Sequence, residues 1–323
     1  MAYTRENCQR IVKVGYRDLA FPSTQLQSME DCNDYLHDMS ALRKDMNDKG
    51  YLLIRGLHDR DDVLTARQAV LNYIHSLGDK LDKNHSVDEG VLREGCGLGC
   101  LPVMEGHTEI SHTKPVLNVI AGERPFKFFS QYFDEDVTTF DYKWLRAMHQ
   151  SGFTGAHVDN VYMCRGSKDL LTMWTPIGDI TVEMGVLAVC EGSNNLPSFQ
   201  RFQSTYGEMD AELVGLKGTG WFTEDPFEIT EKFGGQWKTT DFKAGDVLIF
   251  NMRTVHMSTT NTTQFARISC DTRWQPSSQP ADPRFSGNVE TSKAKFGLLS
   301  KMDCSDNIQT FTTIEKLKEE WGL

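Results

Sequence analysis

The sequence predicts a mainly β protein with flanking helices, and three observations predict it. Short apolar or alternating segments recur between turn residues in its second half, at 116–120, 143–149, 170–176, 185–190, 247–251 and 265–274. That rhythm belongs to a sandwich or barrel. Residues 24–80 read instead as helices around one strand. No stretch reads as a linker, repeat or low-complexity tract, so residues 1–323 are expected to form a single domain.

The helical part is expected over about 1–115. Segment 39–46 carries apolar residues at helical spacing and runs on to Lys49-Gly50, a C-terminal stop signal. Segment 51–57 is short, apolar and closed by glycine, which suits a strand. Asp61 and Asp62 open a second helix, where acidic side chains complement the dipole. Its buried stripe is expected to comprise Val63, Ala66, Ala69, Val70 and Tyr73. Residues 82–115 are glycine-rich and read as irregular loops. The β core is expected over about 116–275, broken by a long stretch at about 196–243 rich in Gly, Phe and Trp. It reads as an insertion, equally a substrate lid or a covering loop. Thr312 and Glu315 have capping-box spacing, and Ile314, Leu317 and Trp321 share one face. A docked C-terminal helix is expected over about 312–322.

Composition narrows the function classes. Acidic side chains outnumber basic ones 45 to 34 and no basic run occurs, which argues against a nucleic-acid or anionic-membrane partner. The apolar runs are too short to span a bilayer, and the polar first residues lack a signal-peptide core, so a cytoplasmic location is expected. The eight cysteines are scattered and read as reduced thiols. Cys96 and Cys100, with His107 and His112 downstream, match no common zinc spacing; a Gly-rich loop suits them better. A chain of this length folds without a metal staple. Any metal it holds is therefore expected to be catalytic.

The chemistry-bearing pattern begins at Gly155-Ala156-His157-Val158-Asp159. On a strand or its end, residues two apart project to one face, so His157 and Asp159 can offer an imidazole and a carboxylate to one ion. A turn at Gly245-Asp246 and an apolar strand lead to His256, the best candidate for a second imidazole. Two histidines and a carboxylate leave adjacent positions open on a non-haem iron. Arg267 follows eleven residues later, where a next strand can present its guanidinium to a carboxylate in bidentate fashion. Each piece alone is common. Their order and spacing together are specific.

This ordered set resembles the phytanoyl-CoA dioxygenase-like (PhyH) family of Fe(II)- and 2-oxoglutarate-dependent oxygenases, over roughly residues 45–274. Segment 49–57 resembles the family's helix-to-strand passage, and 155–159 its His-x-Asp motif, with Val158 where Gln is often found. Segment 185–194 resembles its strand ending in Gly-Ser-His, with Asn194 in the histidine's place, and 245–256 the strand that delivers the distal histidine. The resemblance implies a double-stranded β-helix, a jelly-roll or cupin-like core. It implies His157, Asp159 and His256 as iron ligands and Arg267 as partner of the 2-oxoglutarate side-chain carboxylate. It also places Ser258 and Trp174 near the cosubstrate; a turn hydroxyl and ordinary core packing are equal readings of these two. The implied reaction consumes O2, releases succinate and CO2, and is supported in vitro by ascorbate. Related halogenases lack the metal carboxylate, so the presence of Asp159 favours hydroxylation or another oxidation.

Two further classes stay open on sequence: a catalytically retired β-helix binding protein, and a cupin-like metalloenzyme that does not use 2-oxoglutarate. The substrate is expected to be a small molecule. Arg146, Tyr162 and Arg165 flank the ligand motif and suit an anion. Trp221, with Phe222, Glu224, Asp225, Phe227 and Trp237 around it, could hold a cation, although a solvated loop face is the favoured reading of those acidic residues. Oligomeric state is not encoded in any pattern here.

Overall fold

Strands that are apolar on both faces need cover on both, and this chain supplies it with a second sheet and a layer of helices. The computed structural model describes residues 9–96, 109–287 and 312–323. In chain order the elements are β1 (Arg10–Val14), β2 (Arg17–Phe21), β3 (Gln27–Ser28), α1 (Met39–Lys49), β4 (Tyr51–Ile54), α2 (Arg60–Ser76), α3 (Lys114–Ile120) and α4 (Glu123–Phe133). There follow β5 (Val137–Thr139), β6 (Trp144–Met148), α5 (Asn160–Met163), β7 (Leu171–Pro176) and β8 (Leu187–Glu191). The chain ends with α6 (Gln200–Ser204), α7 (Pro226–Phe233), β9 (Gln236–Thr239), β10 (Val247–Asn251), β11 (His256–Ser258), β12 (Arg267–Pro276) and α8 (Ile314–Trp321).

A six-stranded sheet runs β4-β10-β7-β12-β5, with β6 also paired to β12; a four-stranded sheet runs β11-β8-β9-β3. The two-residue alternation of strands divides the apolar residues of the larger sheet between two cores. Leu248 and Phe250 of β10 and Trp174 of β7 face the smaller sheet, meeting Leu187, Val189 and Trp237. Val247, Ile249, Leu171, Met173 and Trp274 face outward against Leu42 and Met46 of α1 and Phe128 and Phe129 of α4. Trp274 lies flat on Phe129, ring centres 4.7 Å apart. Ile268 and Cys270 of β12 pack outward against α2 and α3. The two sheets do not close into a barrel.

The N-terminal helices form where capping chemistry predicts. Asp38 accepts from the amides of Ser40 and Ala41, and Gly50 ends α1 in a left-handed conformation (φ 87°), bonding back to Met46. Asp59 caps α2 through the amides of Asp61 and Asp62. The buried stripe of α2 is Val63, Ala66, Val70, Leu71 and Ile74, with Ala69 and Tyr73 only partly covered.

Four expectations are corrected. Segment 116–120 is helical, forming most of α3: Pro115 sits in its first turn, and Val116, Val119 and Ile120 bury one face at helical spacing. Four apolar residues in a segment of five do not by themselves distinguish strand from helix. The part expected to be helical from its start instead begins with β1 and β2, paired as a hairpin, and β3. The 196–243 stretch is no structureless insertion, since its β9 pairs with β8 and β3 as a full member of the smaller sheet. The last helix is capped by Thr313, which accepts from the Lys316 amide, while Thr312 bridges to Leu216. Its apolar face packs as expected, with Leu317 buried and Ile314 and Trp321 partly so. Cys100 and His107 lie outside the described residues; Cys96 is buried in the α2–α3 core.

Candidate metal centre

His157 and His256 are joined by backbone before they meet by side chain. Each donates its amide to the other's carbonyl, at 3.0 and 2.9 Å, so the two residues sit directly opposite across an antiparallel bridge. Their rings lie 4.2 Å apart. The strand conformation stops at His157; Val158 turns into the core and Asp159 immediately precedes the short α5. That turn carries the carboxylate round to the imidazoles. Asp159 Oδ1 stands 3.7 Å from Nε2 of His157 and 3.7 Å from Nε2 of His256, a gap that two bonds of about 2.1 Å to one ion would span. Among the described residues this is the one cluster of three such side chains able to hold a metal ion.

The protonation of the set is fixed by its surroundings. His157 Nδ1 donates to the Gly155 carbonyl at 2.8 Å and His256 Nδ1 to the Thr254 carbonyl at 3.0 Å. Both Nε2 lone pairs are thereby left facing Asp159. Burial, followed by the neighbouring His256, pushes the His157 imidazole down to about 3, and burial lowers His256 too. Both are neutral at physiological pH, as metal ligation requires. For Asp159 burial works the other way, but the Arg273 guanidinium, the two imidazoles and the Thr172 hydroxyl outweigh it and hold the carboxyl below its usual range.

β12 supplies the polar side of the site. Its outward residues are Ile268, Cys270, Thr272 and Trp274; alternation turns Arg267, Ser269, Asp271 and Arg273 to the inner face. Arg267 is buried, 2% exposed, and its Nη1 donates to Ser269 Oγ at 2.6 Å. Arg146 of β6 donates Nε to Asp271 at 2.9 Å. Arg273 places Nη2 3.0 Å from Asp159 Oδ2, while Thr172 of β7 donates its hydroxyl to that same oxygen at 2.6 Å. Neither Arg273 nor Thr172 is in the ligand motif. The signal that would have turned Arg273 inward was its even spacing from Arg267, Ser269 and Asp271, on a strand whose other face carries Ile268, Cys270 and Trp274.

The remaining expected residues divide. Trp174 lies in the inter-sheet core opposite Asp271, with its ring edge-on to Phe242 at 4.9 Å. Ser258 is on β11 rather than in a turn, two residues from His256, and its Oγ accepts the Thr154 amide at 2.7 Å. Tyr162 turns its ring edge to His157 at 5.6 Å, and its hydroxyl donates to the Thr219 carbonyl. Trp221 lies flush against Gly155, where a Cβ would come within 2.6 Å of the indole, and sits beside Phe153. Arg165 does not join this group, being held at the surface by Asp210 and Glu212. The aromatic and acidic cage around Trp221 also dissolves. Phe222 and Trp237 are core residues, Asp225 is paired with Arg17, and Glu224 is exposed.

A strap fixes the ligand loop from outside. The Phe222 amide bonds to the Ala156 carbonyl and the Ala156 amide to the Thr223 carbonyl, both at 2.8 Å. Two residues on, Asp225 caps α7 and takes both Nε and Nη2 of Arg17, while the turn at Gly15 touches the Glu224 carbonyl. The β1–β2 hairpin in turn pairs with the chain after β11, at Val14 and Thr259. Ligand loop, strap and hairpin thus form one closed circuit around the two histidines.

Known proteins resemble this chain in sequence and in fold. The 1-deoxypentalenic acid 11-beta-hydroxylase of Streptomyces exfoliatus is 27% identical over 277 residues, covering 78% of this chain and 87% of the relative. The enzyme of the same name from Streptomyces arenae is 24% identical over 265 residues, covering 77% and 85%. Among solved structures, the epimerase SnoN from nogalamycin biosynthesis, in complex with Fe3+, alpha ketoglutarate and nogalamycin RO, superposes with a TM-score of 0.51 at 15% identity, over 84% of this chain and 93% of its own. The carbocyclase SnoK, described as non-heme and alpha ketoglutarate dependent, gives 0.50 at 17% identity, over 87% and 97%. At such identities these structures establish the fold, the open jelly roll. The family model of phytanoyl-CoA dioxygenase (PhyH) matches residues 46–269, from α1 to the first residues of β12, and this chain belongs to that family.

Proposed function

We propose that the chain is an Fe(II)- and 2-oxoglutarate-dependent hydroxylase of a small organic acid. The observation that carries the reading is the donor set: two neutral imidazoles with Nε2 free and one carboxylate oxygen, all within 4.8 Å of one another. Two histidines and a carboxylate with open positions suit ferrous iron rather than a closed structural zinc. When bound, Fe(II) supplies oxidative decarboxylation of 2-oxoglutarate to succinate and CO2, coupled to hydroxylation of the substrate by O2.

The chain's own residues bind, orient and exclude water. Arg267 receives the side-chain carboxylate of 2-oxoglutarate on the inner face of β12, where burial strengthens a charge-assisted pair. Ser258 of β11 and Trp174 of β7 would flank the cosubstrate, the first polar and the second apolar. Phe153, Tyr162 and Trp221 make an aromatic border beside His157 that keeps water from the reacting region.

Charge favours an acid. Around the triad stand three guanidinium groups, Arg146, Arg267 and Arg273, against two carboxylates, Asp159 and Asp271. A dication and a dianionic cosubstrate leave that surplus positive charge in place, and a substrate carboxylate would neutralise it. The Streptomyces relatives are named as hydroxylases of an acid.

Succinate release tests the reading. Purified protein with Fe(II), ascorbate and 2-oxoglutarate should form succinate, faster with one of a panel of apolar carboxylic acids than with its amide. His157→Ala should abolish it. Full activity in that variant, or preference for amines, would reject the reading.

A further inference from the structure

We infer that Arg273 and Thr172 are positioning residues that hold Asp159 to a single metal-facing oxygen, and so keep open the coordination position that a chelating carboxylate would take. The inference rests on the proposed metal site and adds two residues outside its motif.

The two oxygens of Asp159 have separate surroundings. Oδ1 faces both Nε2 atoms at 3.7 Å. Oδ2 takes the Thr172 hydroxyl at 2.6 Å and Arg273 Nη2 at 3.0 Å. Those donors come from neighbouring strands, with Thr172 and Arg273 directly opposite in the β7–β12 register. The carboxylate is thus gripped by a two-strand frame, and rotation about its last bond would break both contacts.

Arg273 is itself locked. It is 2% exposed, its guanidinium lies over the Trp144 ring at 4.6 Å, and its Nε points at Met163 Sδ at 3.2 Å. Its Nη1 is buried with no hydrogen-bond partner among the described residues. A buried guanidinium in an aromatic nest with one nitrogen unsatisfied is costly to keep for stability alone. Its short contact with the metal carboxylate accounts for its presence. Partners of this kind fix ligand orientation, and their loss commonly costs about 10- to 100-fold in metal-site function.

A free Oδ2 would approach the same ion and turn Asp159 into a chelate. The position so filled is one that 2-oxoglutarate needs. The prediction is therefore specific: loss of the clamp weakens cosubstrate binding through the coordination number of the metal.

The test uses the full chain loaded with Co(II), whose visible absorption reports coordination number, and calorimetry of 2-oxoglutarate binding without turnover. Arg273→Met should change the Co(II) spectrum before cosubstrate is added and weaken 2-oxoglutarate binding by roughly 10-fold or more. Thr172→Val should shift the spectrum the same way and less. Arg273→Lys, which retains a cationic donor, should restore most of the wild-type spectrum. Should Arg273→Met fold poorly, Thr172→Val carries the test alone. Wild-type spectra in both Arg273→Met and Thr172→Val, or equal spectral change in Arg273→Met and Arg273→Lys, would overturn the clamp. Absence of Co(II) or 2-oxoglutarate binding in the unaltered chain would instead reject the metal site itself.

Discussion

The inner face of β12 and the strap at residues 221–225 both border the metal centre, yet they are built on opposite principles. On β12 the polar side chains are buried and bonded to one another or to the triad, from Arg267–Ser269 through Arg146–Asp271 to Arg273–Asp159. The strap holds its place by backbone pairing to Ala156 and by a surface latch in which Arg17 and Tyr16 share Asp225. Buried charge pairs are rigid and expensive to break, whereas exposed ones contribute little and yield to salt. On this contrast the strand is expected to fix the chemistry and the strap to adjust access. Mutations on the two sides should separate accordingly.

The largest effect belongs to β12. Arg267→Ala should raise the concentration of 2-oxoglutarate needed for half-maximal succinate release by roughly 30-fold or more, since truncating one side of a buried charge pair costs about 2–5 kcal/mol. Metal affinity measured by calorimetry should change little. If cosubstrate affinity were unaltered, the non-2-oxoglutarate metalloenzyme would regain ground.

Acid should act on the triad before it acts on the strap. His157, ordinarily near 6.5, is pushed down to about 3 in the fold. Between those values the unfolded chain binds a proton that the folded one refuses. Stability of the metal-free protein is therefore fully present above the ordinary value and falls as pH drops below it, by about 1.4 kcal/mol per unit at most for this group. His256, also lowered, adds in the same direction. Asp225 is lowered by its bond to Arg17, so the latch is lost only as pH falls below the ordinary carboxylate range. Urea midpoints in chelator from pH 7 to 4 should decline, and His157→Phe should flatten the slope.

The difference between the regions also explains what sequence could and could not disclose. The His157–Asp159–His256 cluster and Arg267 stood out in the sequence because coordination chemistry restricts residue type and because strands set spacing locally. Segment 247–251 matched β10 for the same reason, an apolar run bounded by Gly245 and Asn251. Thr172 and Arg273 meet Asp159 only through the register of β7 on β12, a relation between residues 101 positions apart. The latch is more remote still, joining Arg17 to Asp225 across 208 positions through ordinary surface residues. Local pattern can turn Arg273 inward, but it carries no trace of the partner that Arg273 or Arg17 meets. Segment 116–120 failed for a different reason, since its apolar run was compatible with both periods and only Pro115 favoured the helix.

Trp221 should give a smaller effect with a distinct signature. Its indole covers Gly155 and stands by Phe153 without touching the ligand side chains' hydrogen bonds. Trp221→Ala opens the border of the site, so succinate formed without substrate oxidation should rise a few-fold relative to product. Co(II) affinity should stay at the wild-type value. A loss of metal binding in this variant would mean that the strap positions the ligands rather than guarding them.

The smallest effect is expected furthest out, at the latch. Arg17 is half-buried, and its bidentate contact with Asp225 is reinforced by the Phe227 ring beneath it at 5.1 Å. Arg17→Gln removes the charge and keeps part of the side chain, leaving the strap attached by its backbone bonds to Ala156. Metal and 2-oxoglutarate affinities should not move. What should change is substrate KM, rising by no more than a few-fold, and its salt dependence. In the unaltered chain, added salt screens the latch and should raise KM toward the variant's value, while the variant itself responds less. Equal salt responses in both would detach the hairpin from control of access and leave the strap as a rigid part of the scaffold, erasing the distinction between the two borders of the site.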